Sequence, residues 1–357
     1  IRIREEVFEY ILASKLRGKF MNKILTIVVP TYNMHDYLDR CLQSLIIEGN
    51  LLEVLVINDG SKDDSLEIAR RYEQAYPNIF RVIDKPNGNY GSCINRGLQE
   101  ATGKYIKILD ADDQFNTSAL RVLLRKAETC DVDAFITNFV KSHTHGKQQF
   151  VTFDLPSYTL LNFPEICFHK DILNLWMHAI TYKRKNLLSI NYKQTEGISY
   201  TDQEWVFLPL ATIKPIMSVP EDLYIYTLGR EGQTMASDFS SNHFQDNVIC
   251  ASHMLEGLTR LQECPKEIKD LLSERLFKRI KFIYKHYLLK STKPDLRVLI
   301  EFDKKLKESN PELYRRSDQI LMSRPIFLYK YIKHWRKNPQ GKLFRYMIKA
   351  YKGIKSI

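Results

Sequence analysis

The chain has no apolar run approaching the roughly 20 residues that a membrane-spanning helix requires, and no secretory signal pattern opens it. Its six cysteines (Cys41, Cys93, Cys130, Cys167, Cys250 and Cys264) lie far apart, without CxxC or Cys/His ligand spacing. That argues against a disulfide frame or a zinc site and predicts reduced, mostly buried thiols in a cytoplasmic protein. Acid is missing from the last stretch. After Asp318 there is no Asp or Glu, yet Arg324, Lys330, Lys333, Arg336, Lys337, Lys342, Arg345, Lys349, Lys352 and Lys355 follow. Setting those ten aside leaves 43 of the 53 basic residues against 42 acidic ones, so nearly all of the net charge of +11 belongs to the tail. A nucleic-acid-binding protein more often spreads its basic footprint over a folded face, so nucleic acid is not expected as a partner. The sequence does not start with Met. Ile1–Phe20 reads as an amphipathic helix or an extension, and Met21 stands directly before the first strand-like run. Met21 is expected to be the natural start, or residues 1–20 a family-specific or added segment.

What is present is an ordinary globular composition, 44% hydrophobic and 27% charged over 357 residues, enough for one large core and for two domains. From Ile24 strand-like and helix-like segments alternate. Ile24–Pro30, Leu52–Ile57, Ile79–Ile83 and Tyr105–Leu109 are short apolar runs. Between them, Leu38, Cys41, Leu42, Leu45 and Ile46 recur at helical spacing, and Ser65–Tyr76 and Ser92–Ala101 read as helices around a turn-rich Asn87–Gly91. This order predicts right-handed βαβ units: an α/β fold with a mostly parallel central sheet and helices on both faces. From about Asn242 the pattern turns helical, over Phe244–Leu261 and Ile268–Leu289, with Pro294 and Pro311 punctuating the rest. The expected division is an extension (1–20), an α/β domain (21–240, with halves meeting near 140) and a helical region (241–357).

The stretch Tyr105–Asp113 ends an apolar strand in three carboxylates, Asp110, Asp112 and Asp113. At the carboxyl edge of a parallel sheet such residues face the ligand crevice. In an extended backbone Asp110 and Asp112 would point the same way, and two converging carboxylates suit Mg²⁺ or Mn²⁺ sharing its shell with phosphate oxygens. The plainer alternative is turn and cap chemistry, with Asn116 or Thr117 capping the next helix. An EF-hand is excluded, because its Gly position holds Phe115 and its final Glu position holds Arg121. Three strands in all end in polar residues: Thr31, Tyr32 and Asn33; Asn58 and Asp59; Asp110 and Asp112. One crevice could collect them.

Val29-Pro30-Thr31-Tyr32-Asn33, Val56-Ile57-Asn58-Asp59-Gly60-Ser61-Lys62-Asp63, Ala101-Thr102-Gly103-Lys104-Tyr105 and Leu109-Asp110-Ala111-Asp112-Asp113 resemble the family 2 glycosyltransferases of GT-A fold. The resemblance runs over roughly residues 23–138, with weaker anchors to about 235. It implies an inverting transferase that moves a sugar from a nucleotide-sugar, a UDP-sugar in the first instance, to a saccharide or lipid-linked acceptor in bacterial polysaccharide or glycolipid assembly. It implies that Thr31 and Tyr32 wall the nucleobase, with Pro30 and Asn33 beside them, and that Asp59 accepts from the base. Asp110 would reach the ribose, and Asp112 would ligate the cation on the diphosphate with Asp110 nearby. Asn87, Gly91 and Ala111 would line the same site. Two departures stand out: Asn58-Asp59 where the family often has two Asp, and a variant Asn95-Arg96 order in the helix after Asn87.

Inversion needs a general base on the acceptor side, outside the metal site. Thr201-Asp202-Gln203-Glu204-Trp205 resembles the family's Glu-Asp motif with Thr201 replacing Glu, which makes Asp202 the candidate and Glu204 the alternative. Asp202 could instead cap a helix Gln203–Ala211. Trp176–Leu188 resembles the segment leading to the acceptor, and His178 in it is read as a packed histidine. In Gly229–Thr234, Arg230 is expected on phosphate oxygens or as a solvated surface residue. A sugar nucleotidyltransferase would need a Gly-rich, basic loop where Thr31-Tyr32-Asn33-Met34 stands, and a non-catalytic binder of the same fold is the third reading. The helical region would serve acceptor binding, membrane docking or homo-oligomerisation. Lys342–Ile357 as a helix, with the mixed aromatic and basic Ile326–Trp335, would hold the protein peripherally at an anionic inner membrane face, unless its apolar side packs on the protein itself.

Overall fold

The computed structural model describes residues 23–230, 243–291, 295–321 and 330–339. The expectations for Ile1–Phe20, for the loop beyond Arg230 and for Lys342–Ile357 lie outside the described residues. The chain divides into two compact units, Ile1–Ala236 and Ser237–Ile357.

The first unit opens with β1 (Leu25–Thr31), α1 (His35–Gln43), β2 (Leu52–Asn58), α2 (Ser65–Ala75), β3 (Phe80–Asp84), α3 (Asn89–Glu100) and β4 (Tyr105–Ile108). Every residue of β1, β2 and β4 is buried, as expected for strands covered on both faces. Then come β5 (Gln114–Phe115), α4 (Thr117–Thr129), β6 (Ala134–His143), β7 (Gln148–Val151), β8 (Leu160–Asn162), α5 (Phe163–Ile166), β9 (Ile180–Lys183), α6 (Arg184–Ser189), α7 (Asp202–Trp205) and β10 (Pro215–Leu228). The sheet order is β3-β2-β1-β4-β9-β6-β10-β5, with β7 on β6 and β8 on β10. The mostly parallel central sheet is seen in β3, β2, β1 and β4, and again between β6 and β10. β9 runs antiparallel to both β4 and β6. Strand order reverses at β1, which makes the carboxyl ends of β1, β2 and β4 the switch-point crevice.

Local chemistry explains the boundaries. Asn116 caps α4, its side chain accepting from the Ser118 and Ala119 amides. α3 starts at Asn89, earlier than the apolar spacing predicts, after Gly88 as the flanking residue. The predicted Gln203–Ala211 helix is only the four-residue α7 followed by a 3-10 turn at Leu208–Thr212, because Pro209 brings no amide to continue it. Asp202 lies inside α7, and Thr201 occupies the flanking position, so the cap reading of Asp202 is corrected.

The second unit contains α8 (Phe244–Arg260), α9 (Lys266–Lys285), α10 (Leu296–Ser309), α11 (Pro311–Ser317) and α12 (Tyr331–Lys337). The aromatic and basic segment read as interfacial is in part structural. Tyr331, Ile332 and Trp335 are buried, and Arg336 is locked between Asp303 (2.7 Å) and Asp318 (2.8 Å). Its guanidinium also donates to Tyr314 O, Ser317 Oγ and Tyr284 Oη. A cation neutralised by two carboxylates is not available to a membrane. All six cysteines are thiols outside any disulfide, and four are buried. No helix among the described residues is long and apolar enough to cross a membrane.

Candidate active site

The β1 and β2 ends meet first. The Asp59 amide donates to Thr31 O (2.8 Å), continuing the parallel register one residue past the strands. Pro30 and Thr31 are buried in β1, and the Thr31 hydroxyl turns back to Val29 O. Tyr32 emerges at 45% exposure. Asn33, at φ 52°, braces the β1 and β2 loops by accepting from the Lys62 amide (2.8 Å). Asp59 is buried and ion-paired with Lys85, and its Oδ1 also accepts from the Gly88 amide (3.0 Å). The Asn87 side chain donates to Asp59 O (2.9 Å). Asn87 thus holds the loop that carries Asp59.

At the end of β4 the expected extended backbone is absent. Asp110–Asp113 form a turn closed by the Asp113 amide on Asp110 O (2.9 Å), and the period-two argument therefore fails there. The turn, with Ala111 buried in it, sends its carboxylates to different partners. Asp110 Oδ1 accepts from Tyr90 Oη (2.8 Å). Asp112 is paired with Arg230, whose guanidinium also stands over the Tyr37 ring. Asp113 accepts from Tyr224 Oη (2.7 Å) and the Thr227 amide (2.6 Å), clasping the turn to β10. Arg40 adds a donor to Asp112 O (3.0 Å). Ligand atoms of Asp110, Asp113 and His178 all lie within 4.8 Å of one another, a grouping that could hold a metal ion.

Burial raises Asp110 to about 7, reinforced by the neighbouring Asp112 charge and, more weakly, by Asp202. Burial also pushes Asp113 well up, together with Asp112 and Asp110. His178 is packed as predicted, between Phe139 (5.3 Å), Tyr224 (4.6 Å) and Tyr226 (4.5 Å). Burial holds it neutral, lowered to about 3, and its Nδ1 has no hydrogen-bond partner among the described residues.

Asp202 faces this cluster closely enough for its charge to raise Asp110, Tyr90 and Tyr226. Glu204 does something else: its two oxygens accept from the Thr195 amide (2.7 Å) and hydroxyl (2.7 Å), which removes it as a free base. Gly91 packs closely, since a Cβ there would stand 1.9 Å from Thr195 O. Asn95 completes the clasp with bonds to Gln194 O, Gln194 N and Glu196 Oε1, each 2.8 Å. The sequence reading missed Lys85, Tyr90, Tyr224 and Thr227 as site residues. Most bond partners 20 to 114 positions away, so no local pattern marks them.

Residues 26–183 match the family model described as Glycosyl transferase family 2. The chain is 28% identical over 245 residues to the uncharacterized glycosyltransferase YibD of Escherichia coli K12, covering 66% of this chain and 71% of that protein. It is 27% identical over 213 residues to the uncharacterized glycosyltransferase EpsJ of Bacillus subtilis, covering 58% and 61%. The chain thus spans less than two thirds of EpsJ. In fold it is similar to S. aureus TarS 1-349, solved in complex with UDP-GlcNAc, at TM-score 0.66, 18% identity and 92% of both chains.

Proposed function

We propose, for a chain that carries a glycosyl transferase family 2 domain on a GT-A fold, that it moves a sugar with inversion from a UDP-sugar to a saccharide or lipid-linked acceptor. The observation that carries this reading is the acid turn at the switch-point crevice, with Asp202 across from it. TarS, of the same fold, was solved with UDP-GlcNAc, which supports a nucleotide-sugar donor. Tyr32 supplies an exposed ring for the uracil, and Asp59, fixed by Lys85 and Gly88, accepts from it. Asp110 reaches the ribose.

The donor set fits Mg²⁺ or Mn²⁺. Asp110 and Asp112 would hold the ion, while Tyr224 and Thr227 keep Asp113 behind them. Asp112 already draws a cationic group, the Arg230 guanidinium. Such an ion, when bound, supplies Lewis-acid stabilisation for the departing diphosphate. Arg230 is suited to the diphosphate oxygens by charge-assisted hydrogen bonding. Asp202 takes the acceptor hydroxyl proton as that oxygen bonds to the anomeric carbon, on the face opposite the breaking bond to the diphosphate. The acid-free run to Lys355 suits an anionic membrane bearing a lipid-linked acceptor at the cytoplasmic face.

The test is a screen of nucleotide-sugars for nucleoside-diphosphate release with Mn²⁺, Mg²⁺ or chelator, alongside UDP titration into the original protein and Asp112→Asn. Release should need the ion, and Asp112→Asn should weaken UDP about tenfold or more only with the ion present, a loss of roughly 1.4 kcal/mol. Equal UDP affinities in all four titrations would remove the metal role from Asp112.

A further inference from the structure

Along β6, Phe139, Lys141 and His143 share one face by the two-residue alternation of a strand, and that face leads away from the acid turn. Phe139 stacks on His178 at 5.3 Å and lies 6.0 Å from Trp176. Lys141 places its ammonium 4.1 Å from the centre of the Trp176 ring. His143 stacks flat on His145 at 5.0 Å and 4°, and Lys147 completes the exposed hairpin tip. On the parallel neighbour β10, Tyr226 is in register with Lys141 and contacts His178 at 4.5 Å. The row therefore starts at Asp110 and Asp113, passes His178 and Tyr226, reaches Trp176 and ends in basic side chains.

Two features of this row are unusual for a plain surface. Trp176 is 40% exposed, whereas Trp205 and Trp335 are buried at 0% and 1%. An indole left half in water beside a catalytic crevice offers the flat apolar face against which sugar C–H groups pack, with a polar edge remaining wet. Lys141, moreover, makes no ion pair among the described residues, although its charge is felt at His178. An ammonium held over an indole by a cation–π contact, without a carboxylate to neutralise it, keeps its capacity for an external anion.

We infer that Trp176 and Lys141 form an acceptor subsite for an anionic saccharide, with a sugar ring on the indole and its carboxylate or phosphate at the Lys141 ammonium and the His143–His145 hairpin. The inference rests on the glycosyltransferase reading and names the acceptor class. The acidic end of the row repels such an anion and the basic end attracts it, so the charge also sets the direction in which the acceptor lies. A neutral glycan would gain nothing from Lys141.

Calorimetric titration with UDP and Mn²⁺ present tests this on three probes: a glucuronate-terminated disaccharide, glucose 6-phosphate and neutral cellobiose. The two anionic probes separate carboxylate from phosphate recognition. At least one should bind the original protein about tenfold more tightly than cellobiose, a preference of roughly 1.4 kcal/mol. Lys141→Glu should abolish that preference, and Trp176→Ala should weaken all probes, while Trp176→Phe retains part of the affinity. Equal binding of neutral and anionic probes, or a preference that survives Lys141→Glu, overturns the subsite. UDP titration into each variant reports folding separately. Failure of UDP to bind the original protein would count against the donor reading instead.

Discussion

Replacing Lys107 by Met should remove one lysine's share of the pH dependence of folding over the alkaline range. Lys107 sits in β4 with no exposed surface, and among the described residues its ammonium donates to the carbonyls of His178 (2.8 Å) and Ile180 (3.1 Å). Burial lowers it to about 7, whereas a lysine in the unfolded chain titrates near 10.4. Between those values the unfolded chain holds a proton that the folded chain has released, so stability rises with pH. The slope approaches 1.4 kcal/mol per pH unit, or roughly 2–3 kcal/mol from pH 7.5 to 9.5. For a domain of this size that corresponds to about 4–10 °C in Tm. Lys107→Met keeps the apolar stem and removes the titration. The variant should exceed the original protein in stability at pH 7.5 and lose that advantage by pH 9.5. Urea unfolding followed by circular dichroism at three pH values measures the difference, in which the titration of other groups cancels. A difference that stays flat across the range would show that the ammonium is not desolvated as described.

Asp202→Asn should leave UDP affinity in place and lower sugar transfer by ~10²–10⁴-fold, measured as product formed per nucleotide bound; transfer at the original rate would take the base away from Asp202. Glu204→Gln should instead act on stability, by about 1–2 kcal/mol through the weakened Thr195 contacts, seen as a lower Tm with UDP binding retained. Gly91→Ala drives a methyl into Thr195 O and should cost about 1–3 kcal/mol or more by overpacking; an unchanged Tm would contradict the close approach of α3 to that carbonyl.

The sheet was legible because β1, β2 and β4 are mostly apolar runs buried along their length, and their polar ends mark the crevice without any long-range information. The carboxylate cluster was legible for the same reason. What lay hidden is the use of each carboxylate. Asp110, Asp112 and Asp113 are neighbours in sequence, but Tyr90, Arg230 and the Tyr224–Thr227 segment divide them. A turn replaces the strand at the point where alternation was assumed. Lys107 was equally silent: in Tyr-Ile-Lys-Ile a lysine reads as the wet face of a strand, and only the arrival of β9 beside β4 encloses it. Gly91 was placed at the site by resemblance, and no local pattern showed that it also makes room for a backbone carbonyl more than a hundred positions on. Arg336 was counted among tail cations, and its two acids precede it by 18 and 33 positions.

The clasp between α3 and the Gln194–Glu196 stretch bears on how such a domain can be recombined. Any crossover between Asn95 and Gln194 separates the asparagine and the glycine from the backbone they were shaped to receive. A relative's α3 with a side chain at position 91 would drive it into the Thr195 carbonyl, and one without Asn95 would leave the Gln194 backbone without that partner. Segments exchanged between relatives therefore keep this fit only when positions 91 and 95 travel with the stretch they receive. The stretch leading into α7 is thereby tied to α3, and a chimaera that ignores this keeps both segments while losing their alignment.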